Sequence, residues 1–227
     1  MNWEAFWDKQ AGQLQQNQQV GRINSGNRKR EELDQRIANH ISIQLELQPT
    51  DRLLDVCCGN GSLSNLLAPK VYHCLGVDFS QQLIAKARLY ESERLYFVRA
   101  DAMQLSGLGQ SFNKINLYFS FQYFDSYEKG LRVLSEMNSL LEPGGRIFIG
   151  DTPDARKWHL YYNSPIKKLR YYYQRFKGKE PMGKFWQPQE FEKMAEWLGL
   201  NVQIFAEPED LPYAWYRFDA VFIKSLA

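Results

Sequence analysis

Between residues 50 and 150, short apolar runs alternate with stretches in which apolar residues recur every three or four positions. Short runs predict buried strands, whereas the longer spacing predicts one face of a helix. Five strands with helices between them are predicted in this way: Arg52–Val56, Tyr72–Val77, Leu95–Arg99, Asn116–Phe121 and Arg146–Gly150. Strands separated by helices of this length favour a parallel sheet that is covered on both faces.

The first 48 residues are predicted to be a leader followed by one helix. An aromatic turn at residues 3–7 precedes a segment in which Gln supplies six of the ten residues from Gln10 to Gln19. Apolar residues four positions apart at 33–45 then mark one face of a helix. The leader has two interpretations, a mobile tail anchored by its aromatic turn or a lid that folds over a ligand.

Residues 152–187 interrupt the alternation after the fifth strand and are predicted to be an insertion. Helical spacing resumes at Pro188–Leu198, and two strand candidates follow, Val202–Phe205 and Arg217–Ile223. Their short connection contains two prolines, which suits a hairpin. We therefore expect one α/β domain over residues 49–227, with the insertion on the side of the sheet where a substrate would bind.

Composition excludes several classes of protein. Hydrophobic residues make up 44% and charged residues 24% of the 227 positions, as in an ordinary globular protein and unlike disordered, collagen-like or disulfide-scaffold chains. The N-terminus lacks the pattern of a secretory signal, and no stretch approaches the roughly 18 apolar residues of a membrane span. Three cysteines without CxxC spacing fit a reduced, cytoplasmic protein with no metal site.

The net charge of +2 is unevenly distributed. The segment from Arg156 to Lys179 contains eight Lys and Arg and no acidic residue, which leaves 20 basic against 26 acidic residues elsewhere. Five tyrosines are interleaved with this charge. Such a patch could hold a phosphate, a carboxylate or an anionic surface while its rings pack on a sugar or aromatic substrate. The alternative is a solvated basic helix whose tyrosines pack on the core. No nucleic-acid partner is expected from one short patch.

The segment Leu53–Leu63 runs from a buried strand through a glycine turn into a helix. Glycines at this point let the backbone approach a ligand close to the helix N-terminal amides. Asp78 closes the next strand, 17 residues beyond Gly61, where a carboxylate can accept hydrogen bonds from ribose hydroxyls. Ser64 stands where a dinucleotide fingerprint would have its third glycine, so the loop disfavours NAD.

Four segments resemble, in order, the motifs of class I S-adenosylmethionine-dependent methyltransferases: Leu54–Gly61, Gly76–Ser80, Arg99–Ala102 and Leu141–Arg146. They cover roughly residues 50–151. The resemblance implies an α/β fold with a Rossmann-like, mostly parallel sheet of seven strands, helices on both faces and an antiparallel last strand. It also implies S-adenosyl-L-methionine as the cofactor. The tail from residue 190 to 219 is similar to small bacterial methyltransferases that act on sugars and other specialised metabolites.

The resemblance further implies a role for each matching residue. The methionine part of the cofactor would be held by Asp55, Gly59 and Gly61. Asp78 would bind the ribose. The adenine would contact Asp101 and Ala102, with Phe79 as a candidate wall against its ring.

Cys57 replaces the first glycine of the usual D-x-G-x-G motif, a variant also seen in quinone and menaquinone C-methyltransferases. Cys is small, so we expect cofactor binding to survive the replacement. Cys57 and Cys58 are expected to be packing residues because no basic residue adjoins them to lower the pKa of their thiols.

Elimination narrows the methyl acceptor. Residues Ser120–Phe124 carry neither the Pro-Pro-Tyr type motif of amino-methyltransferases, nor a nucleophilic Cys, nor carboxylates for a metal. We therefore expect metal-free methylation of a small molecule, first of all O-methylation of a sugar, a nucleotide-linked sugar or a natural product. C-methylation of a quinone-like ring, favoured only by Cys57, and a non-catalytic binding module are the alternatives.

Three residues are candidates for the catalytic machinery. His159 follows the fifth strand on the expected substrate side and is the first candidate for a general base. Asp151, at the end of that strand, is the second, and Tyr123 could orient an acceptor hydroxyl. Their structural alternatives are a surface histidine, a turn or cap residue and a packing ring. An exposed aromatic surface would equally suit a homodimer contact.

Overall fold

The structure, a computed structural model, describes residues 2–12, 19–20, 27–178, 180 and 182–226, with backbone alone for residues 27–30. In these residues, helices α1–α8 are Trp3–Ala11, Asn27–Leu45, Ser62–Leu67, Gln81–Ala87, Tyr127–Leu140, Trp158–Tyr161, Pro165–Phe176 and Pro188–Leu198. Strands β1–β7 are Arg52–Val56, His73–Asp78, Leu95–Arg99, Phe112–Tyr118, Leu141–Pro153, Leu200–Ala206 and Arg217–Lys224.

The seven strands form one sheet in the order β3-β2-β1-β4-β5-β7-β6. Strands β1 to β5 run parallel, and β7 runs antiparallel to both β5 and β6. This confirms the predicted fold class, with its hairpin and antiparallel last strand. The order reverses at β1, which pairs with β2 on one side and β4 on the other. Parallel sheets bind ligands beyond the carboxyl ends of the strands at such a switch point.

Helices cover both faces of the sheet because successive strand residues point to opposite sides. Leu54 packs in the cluster with α5 and α8, whereas its neighbour Leu53 packs in the cluster with α2, α3 and α4. Ile147 and Phe148 divide between the same two clusters. A strand that is covered on both faces, such as β1, therefore reads as a continuous apolar run. Strands β1 and β3 both have the predicted bounds.

Strand β4 differs from its prediction: it covers Phe112–Tyr118 and not residues 116–121. Phe119 has a φ of 61°, which ends the strand, and Phe121–Tyr123 form a 3₁₀ turn. The aromatic side chains at residues 119–123 are of the types that favour a strand, but their backbone is not extended. Their backbone instead turns and brings Tyr123 back towards the sheet edge.

Strand β5 is longer than its prediction, because it starts at Leu141 and continues to Pro153. The predicted turn at residues 143–145 is a register shift within this strand, opposite Phe112 and Lys114. Gly144 has a φ of 76° there, a conformation that glycine adopts without strain. The end of β5 pairs with the start of β7 at Thr152 and Pro153.

The leader and the insertion both contain helices. The aromatic turn of the leader lies in α1, whose first turn is capped by Asn2 Oδ1 accepting the Ala5 N–H at 3.1 Å. Most of the Gln-rich stretch lies outside the described residues. The insertion carries α6 and α7, and α7 buries one of its side chains, Tyr171. Among the described residues, no helix has both the length and the apolar character of a membrane-spanning segment.

Candidate cofactor and acceptor site

A cavity of about 500 Å³ opens beyond the carboxyl ends of β1, β2, β3 and β4. Its walls come from residues 57–59, 78–79, 99–103, the aromatic turn after β4 and helix α1. The predicted site residues that line it are Cys57, Gly59, Asp78, Phe79, Asp101, Ala102 and Tyr123. The sheet thus brings together segments that are up to 66 positions apart.

Asp78 is the last residue of β2 and is buried. Its Oδ2 accepts the Gly59 N–H at 3.0 Å, and its Oδ1 accepts the Ser80 N–H at 2.9 Å. Burial raises the pKa of Asp78 to about 6, although the two backbone donors act in the opposite direction. The carboxyl group therefore fixes the glycine turn in place and titrates just below neutral pH.

The turn after β1 has three residues in the left-handed region: Cys57, Gly59 and Gly61, with φ of 58°, 60° and 77°. Glycine adopts this conformation freely, whereas a side chain is strained there. Gly61 does not line the cavity. A methyl group added to Gly61 would lie 2.7 Å from Phe97 Cζ, so this glycine lets α3 start tight against β3.

Cys57 occupies a backbone position typical of glycine, as the motif comparison predicts. Burial raises the pKa of its thiol well above the usual value, and the nearby Asp78 and Asp55 raise it further. The Cys58 thiol is shifted in the same direction, with burial again the largest cause. Both thiols are protonated at neutral pH, which agrees with packing and argues against a nucleophile.

Asp55 is buried behind the turn and does not line the cavity. One carboxylate oxygen accepts the Ser64 hydroxyl, and the other accepts Asn116 Nδ2 at 2.7 Å. These bonds tie β1 to α3 and to β4. Contact between Asp55 and the methionine part of a cofactor stays a prediction.

Helix α1 covers the open side of the cavity. The Trp3 and Trp7 rings pack on Tyr123, with ring centroids 4.5 and 5.3 Å apart. Glu4 forms an ion pair of 2.8 Å with Arg99 at the end of β3. Asp8 accepts the Ser80 hydroxyl immediately after β2. The leader is thus held against three of the segments that form the site.

The second leader segment reaches the glycine turn. Val20 lines the cavity, and a methyl group added to Gly59 would lie 2.7 Å from Val20 Cγ1. Asn60 Nδ2 donates to Gln19 Oε1 at 3.0 Å. The sequence signals a lid only through the helical spacing of its aromatic residues.

Tyr123 is half-buried, and desolvation of its phenol raises the pKa to about 12. The hydroxyl is therefore protonated at neutral pH and can donate a hydrogen bond, but it is a poor general base. Because Tyr123 lines the cavity, its position agrees with the predicted task of orienting an acceptor.

The other two catalytic candidates lie away from the cavity lining. Asp151 is buried with a φ of 56°, and its Oδ1 lies 3.0 Å from Arg217 Nε. Its N–H donates to Asp219 at 2.9 Å. His159 is exposed on α6. The structure brings neither side chain to the cavity, and a base role for either stays a prediction.

A buried polar group that the sequence did not reveal lies beside the cavity. Tyr118 lines the cavity and donates its hydroxyl to Glu207 Oε1 at 3.2 Å. Burial, with Asp151 and Asp219 adding to it, raises the pKa of Glu207 well above its usual value and so favours the protonated carboxyl. Glu207 follows β6 in a connection whose local sequence predicts only a turn.

The arrangement defines a class of protein. A glycine turn after β1, a buried acid at the end of β2 and a cavity at the switch point form the cofactor crevice of class I S-adenosylmethionine-dependent methyltransferases. A family model described as a methyltransferase domain matches residues 27–203. The chain therefore belongs to this methyltransferase family. Within the described residues, no group of three or more His, Cys, Asp and Glu side chains could hold a metal ion.

Curated relatives share the region of the cofactor motifs. A demethylmenaquinone methyltransferase from Clavibacter sepedonicus is 35% identical over 101 residues, which cover 44% of this chain and 40% of the relative. The protein of that name from Thermus thermophilus is 31% identical over 122 residues, or 52% and 54% of the two chains. The match thus spans about half the length of the relatives, or less.

Solved structures resemble the chain over nearly its whole length. A magnesium protoporphyrin IX methyltransferase from Synechocystis, with bound SAH, has a TM-score of 0.66 at 17% identity and covers 96% of this chain and 93% of its own. The N-methyltransferase NodS from Bradyrhizobium japonicum, in complex with S-adenosyl-L-homocysteine, has a TM-score of 0.65 at 16% identity and 99% coverage of both chains. At these identities the likeness shows the fold.

Proposed function

We propose that the protein transfers the methyl group of S-adenosyl-L-methionine to a small-molecule acceptor without a metal ion. The observation that carries the proposal is the buried Asp78 carboxylate on the wall of the cavity, held by the Gly59 and Ser80 amides. Membership of the methyltransferase family supports the reaction class. The cofactor would supply an electrophilic methyl group on a sulfonium.

The residues present fit this cofactor. Each oxygen of an ionised carboxylate has two lone pairs, so Asp78 can keep its backbone donors and still accept ribose hydroxyls. A cavity of about 500 Å³ lies within the range of roughly 300–1,000 Å³ that small-molecule sites occupy. The adenine would lie between Phe79 and Asp101 with Ala102, which face the same cavity. The methionine part would lie against Cys57 and Gly59.

We propose that the leader acts as the lid of this site, since Trp3, Glu4 and Trp7 form part of its wall. Methyl transfer is an in-line displacement, for which alignment of the reactants and exclusion of water supply much of the rate. Closure by α1 would serve both purposes. The aromatic faces of the tryptophans would also attract a cationic sulfonium.

For the acceptor, we propose a molecule with an aromatic, quinone-like ring that is methylated on carbon. The name of the curated relatives, demethylmenaquinone methyltransferase, supports this choice, as does Cys57. Beyond the cofactor-binding segments the cavity is lined largely by rings, among them Trp7, Phe119, Tyr123 and Phe124. Such walls suit a flat apolar ring.

O-methylation of a sugar or natural product is the second candidate. It is favoured by Tyr123, whose protonated phenol faces the cavity and can donate a hydrogen bond to an acceptor hydroxyl. No relative reported above carries the name of a sugar methyltransferase. We also keep a cytoplasmic location and a homodimer as proposals, on the sequence arguments alone.

Calorimetry with S-adenosyl-L-homocysteine tests the cofactor part. We expect binding by the wild type, loss of binding in Asp78→Ala, and no change in Glu196→Ala, which alters an exposed acid on α8. Equal affinity in wild type and Asp78→Ala would overturn the assignment. No binding by the folded wild type would favour the non-catalytic module.

Transfer of a labelled methyl group tests the acceptor. Wild-type protein would be incubated with a short-chain demethylated naphthoquinol in one series and with nucleotide-linked sugars in another. We expect the label in the quinol, attached to a ring carbon. Labelling of the sugars alone would refute the quinone proposal and support O-methylation.

A further inference from the structure

Helix α7 has an apolar side that faces solvent. Along Pro165–Phe176, five large residues are exposed by half or more: Ile166 (80%), Leu169 (73%), Tyr172 (60%), Tyr173 (53%) and Phe176 (90%). At about 100° per residue they occupy an arc of roughly 120° and extend about 15 Å along the axis. We call this set the outer stripe. Leu89 and Trp197 are also highly exposed, but each lies on another element.

The opposite side of α7 contacts the protein. Tyr171 is the buried residue of the helix, and its ring packs on Trp158 and Tyr162, with centroids 5.3 and 4.6 Å away. Lys168 lies over the Trp158 ring at 5.9 Å. Helix α7 therefore carries more apolar surface than it packs against the protein, because the outer stripe stays exposed to solvent.

Positive charge flanks the outer stripe on both sides. Arg170 and Lys167 lie beyond Ile166 around the helix, and Lys168 and Arg175 lie beyond Tyr172. The whole segment from Arg156 to Lys179 has eight basic residues and no acidic one. A helix with an apolar side flanked by Lys and Arg is typical of segments that lie in the interface of an anionic membrane.

We propose that the outer stripe docks the protein on an anionic lipid surface, with α7 lying in the plane of the headgroups. The apolar side chains would enter the acyl boundary, and the flanking cations would contact lipid phosphates. An anionic lipid surface complements both features of the helix, because its acyl chains match the outer stripe and its phosphates match the flanking charge. A second copy of the chain would have to bring these flanking Lys and Arg side chains against their equivalents.

Docking would place the membrane next to the site. Strand β5 runs parallel to β4, so its carboxyl end lies at the same edge of the sheet as the cavity, and α6 and α7 follow from that end. An apolar acceptor could then pass from the lipid to the cavity. This last step rests on the proposed function, whereas the docking itself does not.

Vesicle sedimentation tests the proposal with the 227-residue chain. Wild-type protein would be mixed with phosphatidylglycerol/phosphatidylcholine vesicles or with pure phosphatidylcholine vesicles. We expect pelleting with the anionic vesicles, at least tenfold weaker partitioning with the neutral ones, and release as salt is raised. Leu169→Glu/Phe176→Glu should lower partitioning by at least tenfold, and Lys167→Glu/Arg170→Glu should lower it and weaken its salt dependence.

Leu89→Glu/Trp197→Glu is the matched control, because these residues are 82% and 77% exposed on other elements. It should pellet like the wild type, and circular dichroism should show all variants folded. Equal pelleting of the outer-stripe variant and the wild type would overturn the proposal. A wild type that stays in the supernatant with anionic vesicles would also overturn it. If light scattering then showed a dimer that Leu169→Glu/Phe176→Glu dissociates, the outer stripe would be a contact between two copies of the chain. Cofactor affinity, measured on the same samples, separates failure of docking from failure of the proposed function.

Discussion

Protonation of Asp78 should control the affinity for the cofactor. Its pKa is about 6 because burial outweighs the two backbone N–H donors. A carboxylate accepts hydrogen bonds from ribose hydroxyls better than a neutral carboxyl does, so protons and cofactor compete. If the ionised form binds, the dissociation constant rises by the inverse of the ionised fraction, or about tenfold at pH 5 relative to pH 8.

The pH dependence of the Asp78 carboxyl should affect the free energy of unfolding in the opposite direction to its effect on cofactor affinity. The folded-state pKa of about 6 lies above the usual value of 3.8, so the unfolded chain ionises Asp78 more readily. The free energy of unfolding of the cofactor-free protein is therefore lowered above pH 6, by up to about 3 kcal/mol for two pKa units. This destabilisation disappears as the pH falls from about 6 towards 4.

The assay is calorimetric titration with S-adenosyl-L-homocysteine from pH 5 to pH 8, with urea unfolding of the cofactor-free protein at each pH. Asp78→Asn removes the charge and should bind weakly at every pH. It loses one acceptor for a backbone donor, at about 1 kcal/mol, and should still be more stable than wild type at pH 8. Glu196→Gln, at an exposed position on α8, serves as the control. A wild-type dissociation constant that is unchanged between pH 8 and pH 5 would refute the reasoning. So would an Asp78→Asn variant whose dissociation constant changes with pH as much as that of the wild type.

Three further predictions concern the turn, the lid and the acceptor. Gly61→Ala should lower the free energy of unfolding by about 2–4 kcal/mol, because the added methyl group would lie 2.7 Å from the Phe97 ring at a φ of 77°. The control Gly109→Ala, with a φ of 64° and no atom within 4 Å, should cost only about 1–2 kcal/mol. Equal losses of the two variants in urea unfolding would contradict this prediction. Glu4→Gln should speed release of S-adenosyl-L-homocysteine by about two- to fivefold in stopped-flow fluorescence, the range of an exposed ion pair, and an unchanged rate would mean that the Arg99 pair does not hold the lid. Tyr123→Phe should leave cofactor affinity unchanged and lower kcat for a hydroxyl acceptor but not for a ring carbon; a loss of cofactor affinity instead would assign Tyr123 to packing beneath α1.

The cofactor side of the site was accessible from the sequence because its parts are local. The turn at 57–61 follows one predicted strand directly and Asp78 closes the next, so the sequence marked both as candidates. The resemblance of the four motifs then implied their roles. The acceptor side was not accessible in this way. Trp3 and Tyr123 are 120 positions apart, and their ring contact depends on how the leader crosses the sheet edge.

The bounds of strands and helices show the same contrast between local sequence signals and contacts with distant residues. Strands β1 and β3 and helix α8 begin and end where the apolar pattern does. Strand β4 does not, because the left-handed Phe119 ends it among residues whose side chains suit a strand. The contacts of Phe119 come from residues distant in sequence: its N–H donates to the Gly150 carbonyl at 3.1 Å, and Arg217 lies over its ring.

The insertion shows most clearly what each level determined. Charge adds up along the chain, so the sequence by itself established that residues 156–179 are basic and rich in tyrosine. It left open whether the rings pack on the core or face outwards. Burial depends on which elements meet in space, and only the tertiary structure decided that Tyr171 turns inwards while Ile166, Leu169 and Phe176 face solvent.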